Sequence, residues 1–390
     1  MNPVKIVTIV GARPQFIKAA AVSRAIRALN DRRGFHDLRE SKKRIREILI
    51  HTGQHYDYSM NQIFFEELAL PIPDHHLGVG SGSHAQQTAM MLERIEAILE
   101  REKADGVLVY GDTNSTLAGA LAAAKMNTPV AHVEAGLRSY NRSMPEETNR
   151  VLADHLSTFL FCPTALAVRN LSREGIRNGK EKVVKNVGDV MYDSILYYSG
   201  LAEKKSTILK DLNLFAPSSG LRTANYCVAT LHRAGNTDDP KRLRAILQAL
   251  DEIGRESPVI LPLHPRTRKM MKTYQFRVQG KRIRLVEPVS YLNMIQLMRH
   301  ARVVLTDSGG VQREAYWLRV PCLVLREETE WVETVNTGWN LLVGADTKKI
   351  VEGLKRLQGS KPPERKRELF GDGKASEQIV QILLGRQVQR

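Results

Sequence analysis

Cysteine is scarce: Cys162, Cys227 and Cys322 are the only three in 390 residues, and they lie far apart. An odd, scattered set builds neither a disulfide framework nor a CxxC metal site, which fits a reduced, cytoplasmic protein. Long apolar runs are missing too. No window approaches the roughly 20 apolar residues of a membrane span. The opening MNPVKIVTIVGARPQF is too short in its apolar part, and lacks the cleavage site, for a signal peptide. Neither GxGxxG nor a Walker A loop occurs, so a dinucleotide-binding or ATPase assignment has no support. Zinc-finger and helix-turn-helix spacings and basic–aromatic interleaving are absent as well, which argues against a nucleic-acid partner. Acidic residues are the minority, 42 against 58 basic, which leaves a formal charge of +16. Such a surplus calls for anionic partners, phosphorylated small molecules among them.

What the chain does have is a twice-repeated α/β pattern. Short β-branched runs at Lys5–Val10, Glu47–His51, Gly106–Val109 and Pro129–His132 alternate with longer amphipathic segments. A second set follows at Tyr226–Thr230, Pro258–Leu263, Ile283–Val286, Val303–Thr306 and Pro321–Leu325. Continuous apolar strands separated by helices indicate parallel sheets covered on both faces. The expected architecture is α/β, with two doubly wound Rossmann-like domains facing each other across a cleft. The expected boundaries are residues 1–187 for the first domain, 188–365 for the second, and 366–390 for a C-terminal helix packing back on the first. Arg32–Arg46 and Lys361–Arg367 are basic segments that read as solvated surface.

Ligands of open α/β sheets bind beyond the carboxyl ends of the strands, and the polar motifs lie there. Gly11-Ala12-Arg13-Pro14 turns from the first strand into a helix, which suits a phosphorylated ligand because backbone N–H groups and a planar guanidinium converge. Asp112, Glu134 and the pair Glu146-Glu147 supply carboxylates after strands or a turn. Asp112 could instead cap the next helix, and either glutamate could serve a helix dipole. Glu134 follows an apolar run directly, so it would be partly buried and needs a partner. In the second half, His232-Arg233 and His264-Pro265-Arg266 close two strands; lone histidines there are more often structural than catalytic. Thr306-Asp307-Ser308-Gly309-Gly310 offers a diphosphate cradle at a helix start, and Glu314 lies about one turn further on.

Taken together, GARPQFIK, HTGQHYD, GDTNSTLAG, HVEAGLRS, MPEETNR, HRAGNTDD and TDSGGVQREA resemble, in order and spacing, the non-hydrolysing UDP-N-acetylglucosamine 2-epimerases. VGDVMYD, LPLHPRTR and ETEWVE look like the branch that epimerises UDP-2,3-diacetamido-glucuronate. The resemblance implies a GT-B arrangement, a homodimer, and a UDP-sugar as substrate, with no cofactor and no metal. It also implies that Arg13, His232, Ser308, Gly309, Gly310 and Glu314 hold UDP, while Lys18, Asp112, Glu134, Glu146 and Arg150 surround the sugar. Asp112, Glu134, Glu146 and His232 are then the catalytic candidates, and His264 joins the substrate-binding set. Two departures stand out: Gly235 replaces the glutamate usual three residues after the histidine, and Gln54-His55-Tyr56-Asp57 replaces a Gln-His-x-Gln motif tied to allosteric control. The competing readings are a hydrolysing 2-epimerase, a GT-B glycosyltransferase and, from the charge alone, a polyanion binder.

Overall fold

The computed structural model describes residues 3–31, 44–53, 65–214, 225–359 and 367–385. The basic insertion up to Lys43, the Gln54–Asp57 motif and the linker Lys361–Lys366 lie outside the described residues. The described chain divides into two units, Met1–Leu196 with Arg367–Arg390, and Tyr197–Lys366.

The first unit holds seven parallel strands: β1 (Val4–Val10), β2 (Ile45–His51), β3 (His75–His76), β4 (Gly106–Tyr110), β5 (Val130–Val133), β6 (Phe159–Cys162) and β7 (Val183–Asn186). They pair in the order β3-β2-β1-β4-β5-β6-β7. The second unit holds β8 (Cys227–Thr230), β9 (Val259–Pro262), β10 (Ile283–Val286), β11 (Val303–Thr306), β12 (Cys322–Val324) and β13 (Asn340–Leu342) in the order β10-β9-β8-β11-β12-β13. Both orders start in the middle, run to one edge and then return to the other, which is the doubly wound Rossmann topology expected from the sequence. The reversal falls between β1 and β4 in one sheet and between β8 and β11 in the other.

The continuous apolar runs have a physical reason. Along β8, Cys227 and Ala229 face one core cluster, while Val228 faces a second cluster on the other side of the sheet. Successive residues therefore alternate between two buried faces instead of between core and solvent. In the first unit Val7, Ile9, Ile48, Ile50, Val107 and Val109 form a core against helix residues Met91, Ile95 and Leu99. Each such side chain contributes about 1.5–3 kcal/mol of burial. The helices that matter below are α1 (Arg13–Asn30), α2 (His84–Glu102), α3 (Asn114–Lys125), α4 (Pro145–Leu156), α5 (Ala165–Arg173), α6 (Val190–Lys205), α7 (Pro240–Glu256), α8 (Pro265–Thr273), α9 (Tyr291–His300), α10 (Gly309–Leu318), α11 (Thr347–Gly359) and α12 (Ala375–Gly385). The alanine-rich α3 sits close on the sheet: a Cβ on Gly119 would fall 2.7 Å from Ile9 Cδ1. Among the described residues no helix is long and apolar enough to cross a membrane. All three cysteines are free and buried, and burial pushes the Cys227 thiol up to about 12, away from the reactive thiolate.

The C-terminal helix is anchored to the first unit by one carboxylate. Asp193 in α6 accepts hydrogen bonds from Ser376 N at 2.7 Å, Ser376 Oγ at 2.7 Å and Ala375 N at 3.2 Å, which satisfies orphan donors at the start of α12. Behind that cap, Ile379, Val380, Leu383 and Leu384 are buried. Burial pushes Asp193 up to about 6, outweighing those hydrogen bonds. An acid whose pKa is higher folded than unfolded stabilises the fold at low pH, and that contribution is lost as pH rises from about 4 to 6. Asp193→Asn should therefore gain stability relative to the wild type, by on the order of 2–3 kcal/mol, between pH 4 and pH 7. Denaturant unfolding at the two pH values measures it; a stability difference independent of pH would contradict this account of the anchor.

Candidate active site

At the carboxyl edge of the first sheet, β1 ends at Val10, Gly11 follows, and α1 begins with Arg13-Pro14. A Cβ on Gly11 would lie 2.1 Å from Thr52 Oγ1 and 2.2 Å from Ser115 Oγ, so no side chain fits there. Gln15, which sequence reasoning did not single out, holds this turn. Its Oε1 accepts from Gly11 N at 2.8 Å and Ala12 N at 3.1 Å, and its Nε2 donates to the Tyr110 carbonyl at 2.9 Å. The β1 and β4 ends are thereby tied at the switch point. Arg13 is half-buried beside them.

One helical turn into α1, Lys18 is buried, and its Nζ lies 2.5 Å from Glu134 Oε1. The carboxylate predicted to need a partner has one. Glu134 follows β5 with φ +74°, an uncommon conformation for a residue with a side chain and one that recurs at functional sites. Between this pair and β4 lies Gly111, with φ +64°. A Cβ there would meet Lys18 Nζ at 2.9 Å and Glu134 Oε1 at 3.4 Å. The next residue, Asp112, is ion-paired with Arg150 Nη2 of α4, and its carbonyl accepts from Asn149 Nδ2 at 3.0 Å. Thr113, not Asp112, caps α3. Lys18, Gly111, Asp112, Glu134 and Arg150 are thus gathered at one turn.

Glu146 and Glu147 both occupy the first turn of α4, but their surroundings differ. Glu146 is half-buried, whereas Glu147 is buried and latches the preceding loop. Its oxygens accept from Ser139 N, Ser139 Oγ and Tyr140 N, each at 2.9 Å, and Arg150 Nη1 lies 3.1 Å away. Nothing in the motif MPEETNR distinguishes the latch from its neighbour; only the helix phase does.

The second unit repeats the plan. β8 leads to His232 and β11 to Ser308, and the two strand ends are joined by a 2.6 Å hydrogen bond between Thr230 and Thr306 hydroxyls. Asp307, fully buried, accepts from His232 N at 3.2 Å, Arg233 N at 3.0 Å and Asn236 Nδ2 at 3.3 Å, with His232 Nδ1 at 3.4 Å. A partly exposed imidazole is thereby held by a carboxylate that the sequence reading had passed over as part of a glycine-rich motif. His264 is exposed; its Nδ1 accepts from Arg266 N and caps α8, and its ring centroid is 5.4 Å from that of His232. Ser308 caps α10, so the first N–H groups of that helix can receive an anion. Gly309 leaves no room for a Cβ, which would lie 2.7 Å from Glu330 Oε1, whereas a Cβ on Gly310 would meet nothing closer than 3.8 Å. Glu314 is buried in the same helix. At Gly235 a Cβ would point into open space.

A family model described as UDP-N-acetylglucosamine 2-epimerase matches residues 37–384. A Methanococcus maripaludis protein named UDP-N-acetylglucosamine 2-epimerase homolog is 51% identical over 383 residues, 97% of this chain and 99% of the relative. A Pseudomonas aeruginosa UDP-2,3-diacetamido-2,3-dideoxy-D-glucuronate 2-epimerase is 47% identical over 380 residues, 97% of this chain and 99% of that one. The crystal structure of Methanocaldococcus jannaschii UDP-GlcNAc 2-epimerase in complex with UDP-GlcNAc and UDP superposes with a TM-score of 0.85 at 41% identity, covering 99% of this chain and 100% of that chain. The two Rossmann-like units, the composition of the GT-B class, agree with that neighbour.

Removing one member of a buried ion pair strands the other charge, at about 3–5 kcal/mol. Lys18→Met and Glu134→Gln should each destabilise the first unit by roughly that amount, and the double variant by no more than either alone. Denaturant unfolding of all four proteins closes the cycle; additive losses would show that the pair is not coupled.

Proposed function

This chain belongs to the UDP-N-acetylglucosamine 2-epimerase family, and from that premise we propose that it inverts C2 of UDP-N-acetylglucosamine without hydrolysis, giving UDP-N-acetylmannosamine. The observation that carries the reading is the gathering of two ion-paired carboxylates, Glu134 and Asp112, at the Gly111 turn. C2 of the sugar has no adjacent carbonyl, so its hydrogen is not acidic in the ground state. It becomes removable as the C1–O bond breaks, its electron pair leaving with UDP, and C1 gains oxocarbenium character. A carboxylate then takes the C2 proton and a glycal remains. A proton is returned to the opposite face, and UDP adds back to C1. No net oxidation occurs, so the proposed steps require no nicotinamide.

Carboxylates on two sides of the ring are what such an inversion needs, and Asp112, Glu134 and Glu146 are the proposed acid/base set. Lys18 and Arg150 pair with two of them and orient them. UDP is assigned to Arg13, His232 and the Ser308-Gly309-Gly310 helix start, with Glu314 facing the ribose hydroxyls and His264 beside His232; fixed donors and cations stabilise a departing anion where water would have to reorganise. His232, oriented by Asp307, is the proposed donor to the leaving oxygen. The proposed location is cytoplasmic, in keeping with the three scattered cysteines, and the proposed assembly is a homodimer, as the resemblance implies.

A second substrate is favoured by a specific observation: the 47% identity to an enzyme named for the 2,3-diacetamido uronate. Proton NMR in deuterated water, with EDTA present, separates the readings. With UDP-N-acetylglucosamine the expected result is deuterium at C2 and signals of the manno epimer, with no accumulation of free UDP. Exchange with the uronate alone would move the assignment to that sugar. Free N-acetylmannosamine would mark a hydrolysing enzyme, and loss of turnover in EDTA would overturn the metal-free mechanism. Glu134→Gln should lower kcat by on the order of 10²- to 10⁴-fold with a smaller change in KM.

A further inference from the structure

The loop that leads from β5 into α4 ends without a side-chain cap: Met144 stands at the N-cap position, followed by Pro145. In a capping box, a glutamate three residues into the helix reaches back to the N-cap amide. Glu147 holds that third position, but its carboxylate goes past the cap and takes hold of the loop itself. Oε2 accepts from Ser139 N and Ser139 Oγ, and Oε1 from Tyr140 N, each at 2.9 Å. Tyr140 is exposed, and its φ of +59° is a conformation that residues with a side chain disfavour. Its hydroxyl donates to Asn170 Oδ1 of α5 at 3.2 Å. The loop is therefore tied at its ring end to α5 and at its backbone to Glu147.

The same carboxylate continues toward the Gly111 turn. Glu147 Oε2 also accepts from Arg150 Nη1 at 3.1 Å, one helical turn along α4. Arg150 is buried, and its other terminal nitrogen, Nη2, is the one that pairs with Asp112. One guanidinium thus forks between two carboxylates, one on its own helix and one on the turn after β4. A planar fork engaged at both prongs is fixed in orientation, whereas a long side chain held by one prong is free to rotate about it. The adjacent Asn149, also buried, donates from Nδ2 to the Asp112 carbonyl at 3.0 Å. Side chain and backbone of Asp112 are both gripped by α4, and Glu147 fixes the first turn of that helix.

We infer that Glu147 is a positioning residue for the epimerisation: it aims Arg150, and through Arg150 it orients the carboxylate of Asp112. Without Glu147, Arg150 can turn its whole fork onto Asp112, and Tyr140 loses the bond that holds its backbone at positive φ. The requirement is for two oxygens. Each faces a backbone N–H, and an amide has only one oxygen, so a glutamine sets donor against donor at Ser139 N or at Tyr140 N. The inference rests on the reading of Asp112 as an acid/base group. It adds that neighbouring glutamates of one helical turn divide the work, Glu146 in the proposed acid/base set and Glu147 behind Asp112.

The test is a kinetic cycle on the whole protein with Glu147→Ala, Asp112→Asn and the double variant. Glu147→Ala should lose roughly 10- to 100-fold in kcat with KM within about threefold, as expected when a reacting group is misplaced. Glu147→Gln, which keeps one oxygen, should recover part of that loss. In the Asp112→Asn background the loss from Glu147→Ala should shrink to less than about threefold, because the group it positions is already disabled. Wild-type kcat in a folded Glu147→Ala enzyme, a loss carried by KM, or losses that multiply in the double variant would each overturn the inference. If Glu147→Ala fails to fold, the same cycle with Glu147→Gln decides. Amide exchange at Tyr140 is read on the same variants without turnover. It should speed up by about tenfold or more in Glu147→Ala, and an unchanged rate would overturn the hold on the loop. A wild type without epimerase activity would sink the proposed reaction and the role assigned to Asp112, while the exchange rates would still report whether Glu147 holds the loop.

Discussion

A Cβ on Gly111 would lie 2.9 Å from the paired Lys18 Nζ, and the first unit's site depends on that close approach. With no Cβ, the chain leaves β4 at positive φ and passes between a buried ammonium–carboxylate pair and the strand beside it. The residue that follows presents Asp112 to Arg150. Two carboxylates at the ends of neighbouring strands are thus each paired with a cation from a different helix, α1 or α4. Paired and turned by a glycine, the two are separately oriented, which is what the proposed inversion requires.

The second unit meets the complementary need with fewer charges. Its switch point presents a helix start capped by Ser308 and an imidazole held by the buried Asp307, instead of a row of exposed lysines. The formal +16 is accordingly a poor guide to the site. Lys18, Arg138, Arg150 and Arg326 are buried in ion pairs, and the buried Arg313 stacks on Trp331 with its guanidinium carbon 3.6 Å from the ring centroid. A charge count sums such cations with solvated ones, although only the latter shape the field a ligand meets.

Much of the architecture was legible because both sheet faces are buried, which leaves unbroken apolar runs. Val303–Thr306 and Ile283–Val286 coincide with β11 and β10, and the other expected strands are within two residues of their observed ends. The elements that went unread are the ones such a pattern cannot reveal: β3 is two histidines at a sheet edge, β13 three residues, and β6 a four-residue apolar run that periodicity cannot tell from a piece of helix. In the site, the demand of Glu134 for a partner followed from one dimension of sequence, since a carboxylate after an apolar strand has nowhere to be solvated. Its identity as Lys18, 116 residues away, did not. The roles of Gln15, Glu147 and Asp307 were invisible for a related reason: each works by hydrogen-bonding backbone or side chains that only the fold brings near.

The central claim is that the C1–O bond of the UDP-sugar breaks and re-forms at a site whose geometry Gly111 sets. Positional isotope exchange tests it most directly, with ¹⁸O placed in the oxygen that bridges C1 and the β-phosphorus. The account predicts that recovered substrate will show the label scrambled into the non-bridging β-phosphate positions at least as fast as epimer appears. In Gly111→Ala, whose added methyl would collide with Lys18, scrambling and epimerisation should fall together while UDP still binds. Label that stays in the bridge while the wild type epimerises, or a Gly111→Ala enzyme that scrambles at the wild-type rate, would contradict it.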